Sequence, residues 1–122
     1  MTFTKTIYTL ALAFALCIGG AQAQELRFNS NHKFKIVQFT DIHWIYNDPA
    51  SDKAGERMRE VLDAEKPDLV VFTGDGSFAK PAAQALQKAL EPTIERGIPF
   101  AVTWGNHDDE QDMTRADLSA YI

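Results

Sequence analysis

Between Lys33 and Thr103 the chain alternates three β-rich apolar runs with two stretches of helical periodicity, and this alternation constrains the fold more than any other feature. Lys33-Phe-Lys-Ile-Val-Gln-Phe-Thr40 predicts a first strand. Glu25-Leu-Arg-Phe28 followed by Asn-Ser-Asn predicts a short hairpin leading into it. From Ser51 to Glu65, Ala54, Met58, Val61, Leu62 and Glu65 recur at helical spacing, and Lys66-Pro67 ends that helix. Asp68–Thr73 is the second strand. Pro81–Arg96 is the next helix, opened by Pro81 at an N1-like position, kinked at Pro92 and closed by Gly97. Pro99–Thr103 is the third strand, and Thr114-Arg-Ala-Asp117 resembles a capping box that starts a last helix running to Ile122.

Strand, helix, strand, helix, strand implies an α/β fold with a parallel sheet and right-handed crossovers. Such sheets bind ligands beyond the carboxyl ends of their strands. Just past the first strand stand Asp41-Ile-His43, past the second Gly74-Asp75-Gly76, and past the third Gly105-Asn-His-Asp108. Each group has a bland reading. Gly-Asp-Gly is a common turn whose Asp bonds its own backbone, and WGNHDDE is ordinary polar loop material. Asp41 and His43 stand two apart in extended chain, so both side chains are expected on one face, able to clamp a cation. Three such groups at three successive strand ends favour a metal site over loop composition.

Composition narrows the partners. A formal net charge of −5, with no long basic run, gives no electrostatic footprint for nucleic acid or an anionic membrane. The first 23 residues read as a cleaved export signal: Lys5 in a short n-region, the apolar Leu10–Ile18, and Ala21-Gln-Ala23 as an A-x-A site. That apolar run is too short to span a bilayer, which takes about 20 residues. The only cysteine, Cys17, lies within it. The mature chain is therefore expected to be exported, periplasmic or secreted, free of disulfides and without a membrane segment.

Asp41-x-His43, Gly74-Asp75 and Gly105-Asn-His-Asp108 resemble the first three blocks of the calcineurin-like metallophosphoesterases, and FKIVQFTDIHW, EKPDLVVFTGD and WGNHDDEQDMTRADLSAYI are similar to the branch related to purple acid phosphatases. The resemblance covers roughly residues 33 to 122. It implies the N-terminal half of an α/β sandwich, with a mostly parallel sheet in βαβαβ order. It also implies a dinuclear metal centre that hydrolyses phosphoesters, on a phosphorylated small molecule or protein. Carried over by position, Asp41 and His43 would bind the first metal, Asp75 would bridge both, and Asn106 would bind the second. His107 would donate a proton to the leaving group, with Asp108 orienting its ring. Carboxylate, imidazole and amide oxygen suit iron, zinc or manganese, and the absence of thiolate argues against a structural zinc site.

Two positions depart from the family's pattern. Purple acid phosphatases carry a metal-bound tyrosine three residues after the bridging aspartate, where this chain has Phe78, so neither the purple colour nor a strict ferric requirement is expected. The family also completes its site with three histidines from later strand ends. Residues 24–122 are thus expected to form the N-terminal part of the domain, with the C-terminal half absent. His32, the remaining histidine, reads as a solvated turn residue. A metal-dependent phosphatase and a catalytically inactive fragment or binding module with a partial metal site are the two functional readings. Exported material should begin at Gln24; intact mass of secreted protein checks this, and a retained Met1 would contradict it.

Overall fold

A computed structural model describes residues 25–122, so the expected signal over 1–23 lies outside the described residues. The elements are β1 (Ile36–Phe39), α1 (Pro49–Glu65), β2 (Leu69–Thr73), α2 (Ala82–Ile94), β3 (Phe100–Thr103) and α3 (Arg115–Tyr121). The strands form one sheet in the order β1-β2-β3, and both pairings are parallel. This is the α/β, βαβαβ order that the sequence implied. A chain that steps one way along a parallel sheet with crossovers of a single hand lays its crossover helices on one face.

That face carries Val37, Phe39, Val70, Phe72, Phe100 and Val102, which pack with Met58 and Leu62 of α1, Leu86 and Leu90 of α2 and Leu118 of α3. Parallel pairing sets Val70 beside Val37 and Phe100, and Phe72 beside Phe39 and Val102, so the register aligns the apolar side chains row by row. The opposite face is more open. Ile36 is 55% exposed, Gln38 donates to Thr73 Oγ1 at 2.9 Å, and Ala101 and Thr103 are exposed.

Helix ends follow local chemistry. Pro49 occupies the first turn of α1, and Lys66 stops the helix in a left-handed conformation, its N–H donating to Leu62 O at 2.9 Å. Pro81 is the N-cap of α2 rather than its first residue, and the orphan N–H of Ala82 donates to Asp112 Oδ1 at 2.8 Å. α2 continues through Pro92 and ends at Ile94, short of the expected Arg96. The capping box at Thr114 and Asp117 is present in both directions and sets α3, whose Leu118 is fully buried. Arg59 pairs with Glu95 at 2.9 Å and Arg96 with Asp63 at 2.7 Å, tying α1 to the residues that follow α2 at the surface.

The hairpin expected before β1 does not form, and residues 25–29 carry no strand. The Asn29 side chain accepts from the N–H groups of Asn31 and Lys33 at 2.9 and 3.0 Å. A side chain that takes such N–H groups competes with a strand ladder. His32 sits in this turn, exposed, as its sequence context implied.

Candidate metal centre

The loop after β1 does not continue as extended chain. Asp41 and His43 have φ of 52° and 49°, both left-handed, with Ile42 between them packed toward the core. The expectation that an extended D-x-H projects both side chains from one face is corrected here. Convergence comes instead from two left-handed residues, each of which costs about 1–3 kcal/mol unless its surroundings fix it. Here they are fixed by the loop after β2: Asp41 N–H donates to Gly74 O at 3.1 Å, His43 N–H to Asp75 O at 2.9 Å and Trp44 N–H to Gly76 O at 3.0 Å. The buried Trp44 anchors the loop against α1, where a methyl on Gly55 would come within 2.9 Å of its ring.

Asp41, His43 and Asp75 consequently bring one ligand atom each within 4.8 Å of one another. His43 Nε2 lies 3.7 Å from Asp41 Oδ1 and 3.9 Å from Asp75 Oδ2, too far for hydrogen bonds. Donors about 2.0–2.2 Å from a shared cation stand roughly 3–3.5 Å apart, so a small contraction would close this trio on an ion. The donor set, two carboxylates and an imidazole, fits the iron, zinc or manganese expected from the residue types.

The third loop locks onto the second through Asp108. Its side chain, 1% exposed, accepts from the N–H groups of Asp75 (2.9 Å), Gly76 (2.9 Å), Ser77 (3.3 Å) and Gly105 (2.7 Å). In return Asp75 Oδ1 accepts from the His107 N–H at 2.9 Å, which leaves Oδ2 toward His43. Asp75 therefore bonds a neighbouring loop rather than its own turn. Two glycines make the approach possible. Gly74 has φ of 101° with its Cα facing Gly105, and a methyl on Gly105 would overlap the Asp75 side chain.

His107 sits beside the trio, its ring centroid 5.6 Å from that of His43 and 5.4 Å from Phe78, which lies edge-on at 88°. The ring was expected to be oriented by Asp108. It is Glu110 that reaches it, with Oε2 2.7 Å from Nδ1, while Asp108 is fully engaged with backbone. The Glu110 hydrogen bond raises the His107 pKa above the ordinary histidine value; exposure to solvent limits the opposing desolvation, and the charges of Glu110, Asp75 and Asp108 add to the rise. Asn106 is exposed between Gly105 and His107, and no hydrogen bond fixes its side chain among the described residues. Sequence reasoning missed Glu110 and the ring contacts of Phe78. The signal available for Glu110 was its i,i+3 spacing from His107, which brings side chains together on a turn.

Comparison with known proteins gives a consistent family. The profile described as calcineurin-like phosphoesterase matches residues 34–121. The chain is 41% identical to Phosphatase DCR2 of Saccharomyces cerevisiae, over 80% of this chain and 20% of that protein. It is 37% identical to Probable inactive purple acid phosphatase 29 of Arabidopsis thaliana, over 98% of this chain and 36% of that protein. It is 36% identical to Probable inactive purple acid phosphatase 14 of the same plant, over 81% of this chain and 29% of that protein. It thus spans only 20% to 36% of the length of these relatives. No solved structure matches it.

Replacing Asp108 by Asn exchanges one accepting oxygen for a donor facing backbone N–H groups. The loss should be on the order of 3 kcal/mol, since each buried donor left without a partner costs about 1–3 kcal/mol. Asp109→Asn, at the exposed neighbour, should stay within about 0.5 kcal/mol. Urea unfolding of both variants checks this, and equal midpoints would contradict it.

Proposed function

From the chain's membership of the calcineurin-like phosphoesterase family, whose relatives include purple acid phosphatase-like proteins, we propose that it serves metal-dependent hydrolysis of phosphoesters, on phosphomonoesters in particular. The observation that carries the reading is the convergence of Asp41, His43 and Asp75 at the carboxyl ends of two adjacent strands. Asp41, His43 and Asp75 would hold a first cation, and Asp75 with Asn106 a second, of iron, zinc or manganese. When bound, a pair of such cations supplies charge that polarises phosphoryl oxygens and acidifies water.

The chain's own residues do the rest. Asp75, 12% exposed at its side chain, keeps one oxygen for the His107 N–H and presents the other to the cluster. His107, beside the trio and held by Glu110 at Nδ1, would pass a proton to the leaving-group oxygen. Phe78 walls the same space, its ring 5.6 Å from that of His43. The overall charge of −5 repels a phosphorylated substrate, so attraction rests on the bound cations. The substrate class proposed is a phosphorylated small molecule or protein met after export, with no part for nucleic acid or membrane.

A second reading, a metal-binding chain without turnover, is favoured by one finding: two of the relatives named above are called "probable inactive" purple acid phosphatases. Metal content by elemental analysis, with hydrolysis of an aryl phosphate alongside, tests both. Asp75→Asn should lose metal and activity together. His107→Ala should keep most of the metal and slow turnover about 10²- to 10⁴-fold, the usual contribution of proton transfer. Equal metal loss in the two variants would contradict the assignment of roles, and wild-type protein that holds metal but releases no phosphate would favour the second reading.

A further inference from the structure

We propose that Glu110 is the positioning residue of His107, fixing the ring so that Nδ1 carries its proton toward Glu110 and Nε2 is the atom that exchanges a proton with substrate; this rests on the phosphoesterase reading above.

Three consecutive acids follow His107, and the structure gives each a different partner. Asp108 is consumed by four backbone N–H groups. Asp109 pairs with Arg115 at 3.1 Å. Glu110 meets only His107 among the described residues, with Oε2 2.7 Å from Nδ1. The turn that brings it there is closed by Glu110 N–H donating to His107 O at 3.2 Å.

An exposed ion pair of this kind adds little when two free side chains must be ordered to make it. The His107 ring is already confined. Its backbone N–H is held by Asp75 at 2.9 Å, and Phe78 and His43 flank the ring at 5.4 and 5.6 Å. One hydrogen bond then suffices to select the tautomer, because the bond made by one imidazole nitrogen decides which of the two is protonated. A free histidine side chain favours the proton on Nε2, so the Nδ1–H form is a departure that Glu110 must impose.

The selected form suits the chemistry. As a phosphoester reacts, a water oxygen forms the new P–O bond and releases a proton to solvent. The old P–O bond breaks with its electron pair on the leaving oxygen, and the Nε2 proton of the imidazolium neutralises that oxygen. What remains is neutral His107 with Nδ1–H still donated to Glu110, and solvent returns the proton to Nε2.

Long-range nitrogen–proton NMR spectra of the His107 ring, recorded on the metal-free and the zinc-loaded chain at a pH where the ring is neutral, read this directly. Wild type and Glu110→Gln, whose amide oxygen still accepts, should show Nδ1–H, and Glu110→Ala should revert toward Nε2–H. Where hydrolysis of an aryl phosphate is measurable, Glu110→Ala should lower kcat about 10- to 100-fold at unchanged KM, with Glu110→Gln recovering most of it. Nε2–H in wild type, or Nδ1–H persisting in Glu110→Ala, would overturn the proposal. The expected tautomers in a chain that hydrolyses nothing would support the placement of the ring by Glu110 and count against the phosphoesterase reading alone.

Discussion

A single buried carboxylate holds the functional edge of this protein together. Asp108 gathers the N–H groups of Asp75, Gly76, Ser77 and Gly105, so the loops after β2 and β3 share one anion. A carboxylate this buried is tolerable only when hydrogen bonds satisfy its lone pairs, and four N–H donors do so. The bonds also turn the peptide dipoles of the second loop toward Asp108, which fixes the backbone on which Asp75 is mounted. Asp75 then reaches across to His107 N–H, and the first loop hangs from the second by its own ladder of backbone bonds. Remove Asp108 and every link in that series loses its reference point.

The sheet beneath supplies what the loops need: three strand ends in a row, pointing the same way. Because β1, β2 and β3 are neighbours in chain order, Asp41 and His43 arrive beside Asp75, and Asp75 beside the Gly105–Asp108 loop. Left-handed backbone is concentrated at this edge, with His32, Asn47 and Lys66 the other non-glycine residues that adopt it among those described. Asp41, His43 and Asp75 all take left-handed backbone conformations, and glycine stands where the second and third loops touch, at Gly74 and Gly105. At Asp41 and His43 this conformation is held by backbone hydrogen bonds to the neighbouring loop rather than by local sequence alone.

Much of this was legible in the sequence. The runs ending at Thr40, Thr73 and Thr103 announced the three strands, Lys66-Pro67 and the Thr114–Asp117 box announced helix ends, and the residues behind the first two strands pointed to the candidate trio of Asp41, His43 and Asp75. These signals are local, and a period of apolar residues or a cap is written in a few adjacent positions. What the sequence did not carry depends on contacts between distant segments. The left-handed turns at Asp41 and His43 exist because a loop more than thirty residues away accepts their N–H groups. The family's pattern implied Asp108 as the orienter of His107, yet the fold turns it inward and leaves Glu110 to reach the ring. The hairpin before β1 failed for a local reason that pattern alone underweights: Asn29 uses its side chain on the N–H groups a ladder would need.

Family membership, the strand-end geometry and the donor chemistry therefore meet at one place, the trio of Asp41, His43 and Asp75. The central claim is that this trio is a cation site built by the fold. Calorimetric titration of the purified chain with manganese or zinc tests it most directly, in wild type and in a variant carrying Asp41→Asn together with His43→Ala. The account predicts saturable binding of one tight cation per wild-type chain and its loss in the double variant, with the fold retained because both residues lie on the surface side of the loop. Tight binding that survives removal of both side chains, or no saturable binding in wild type, would contradict it.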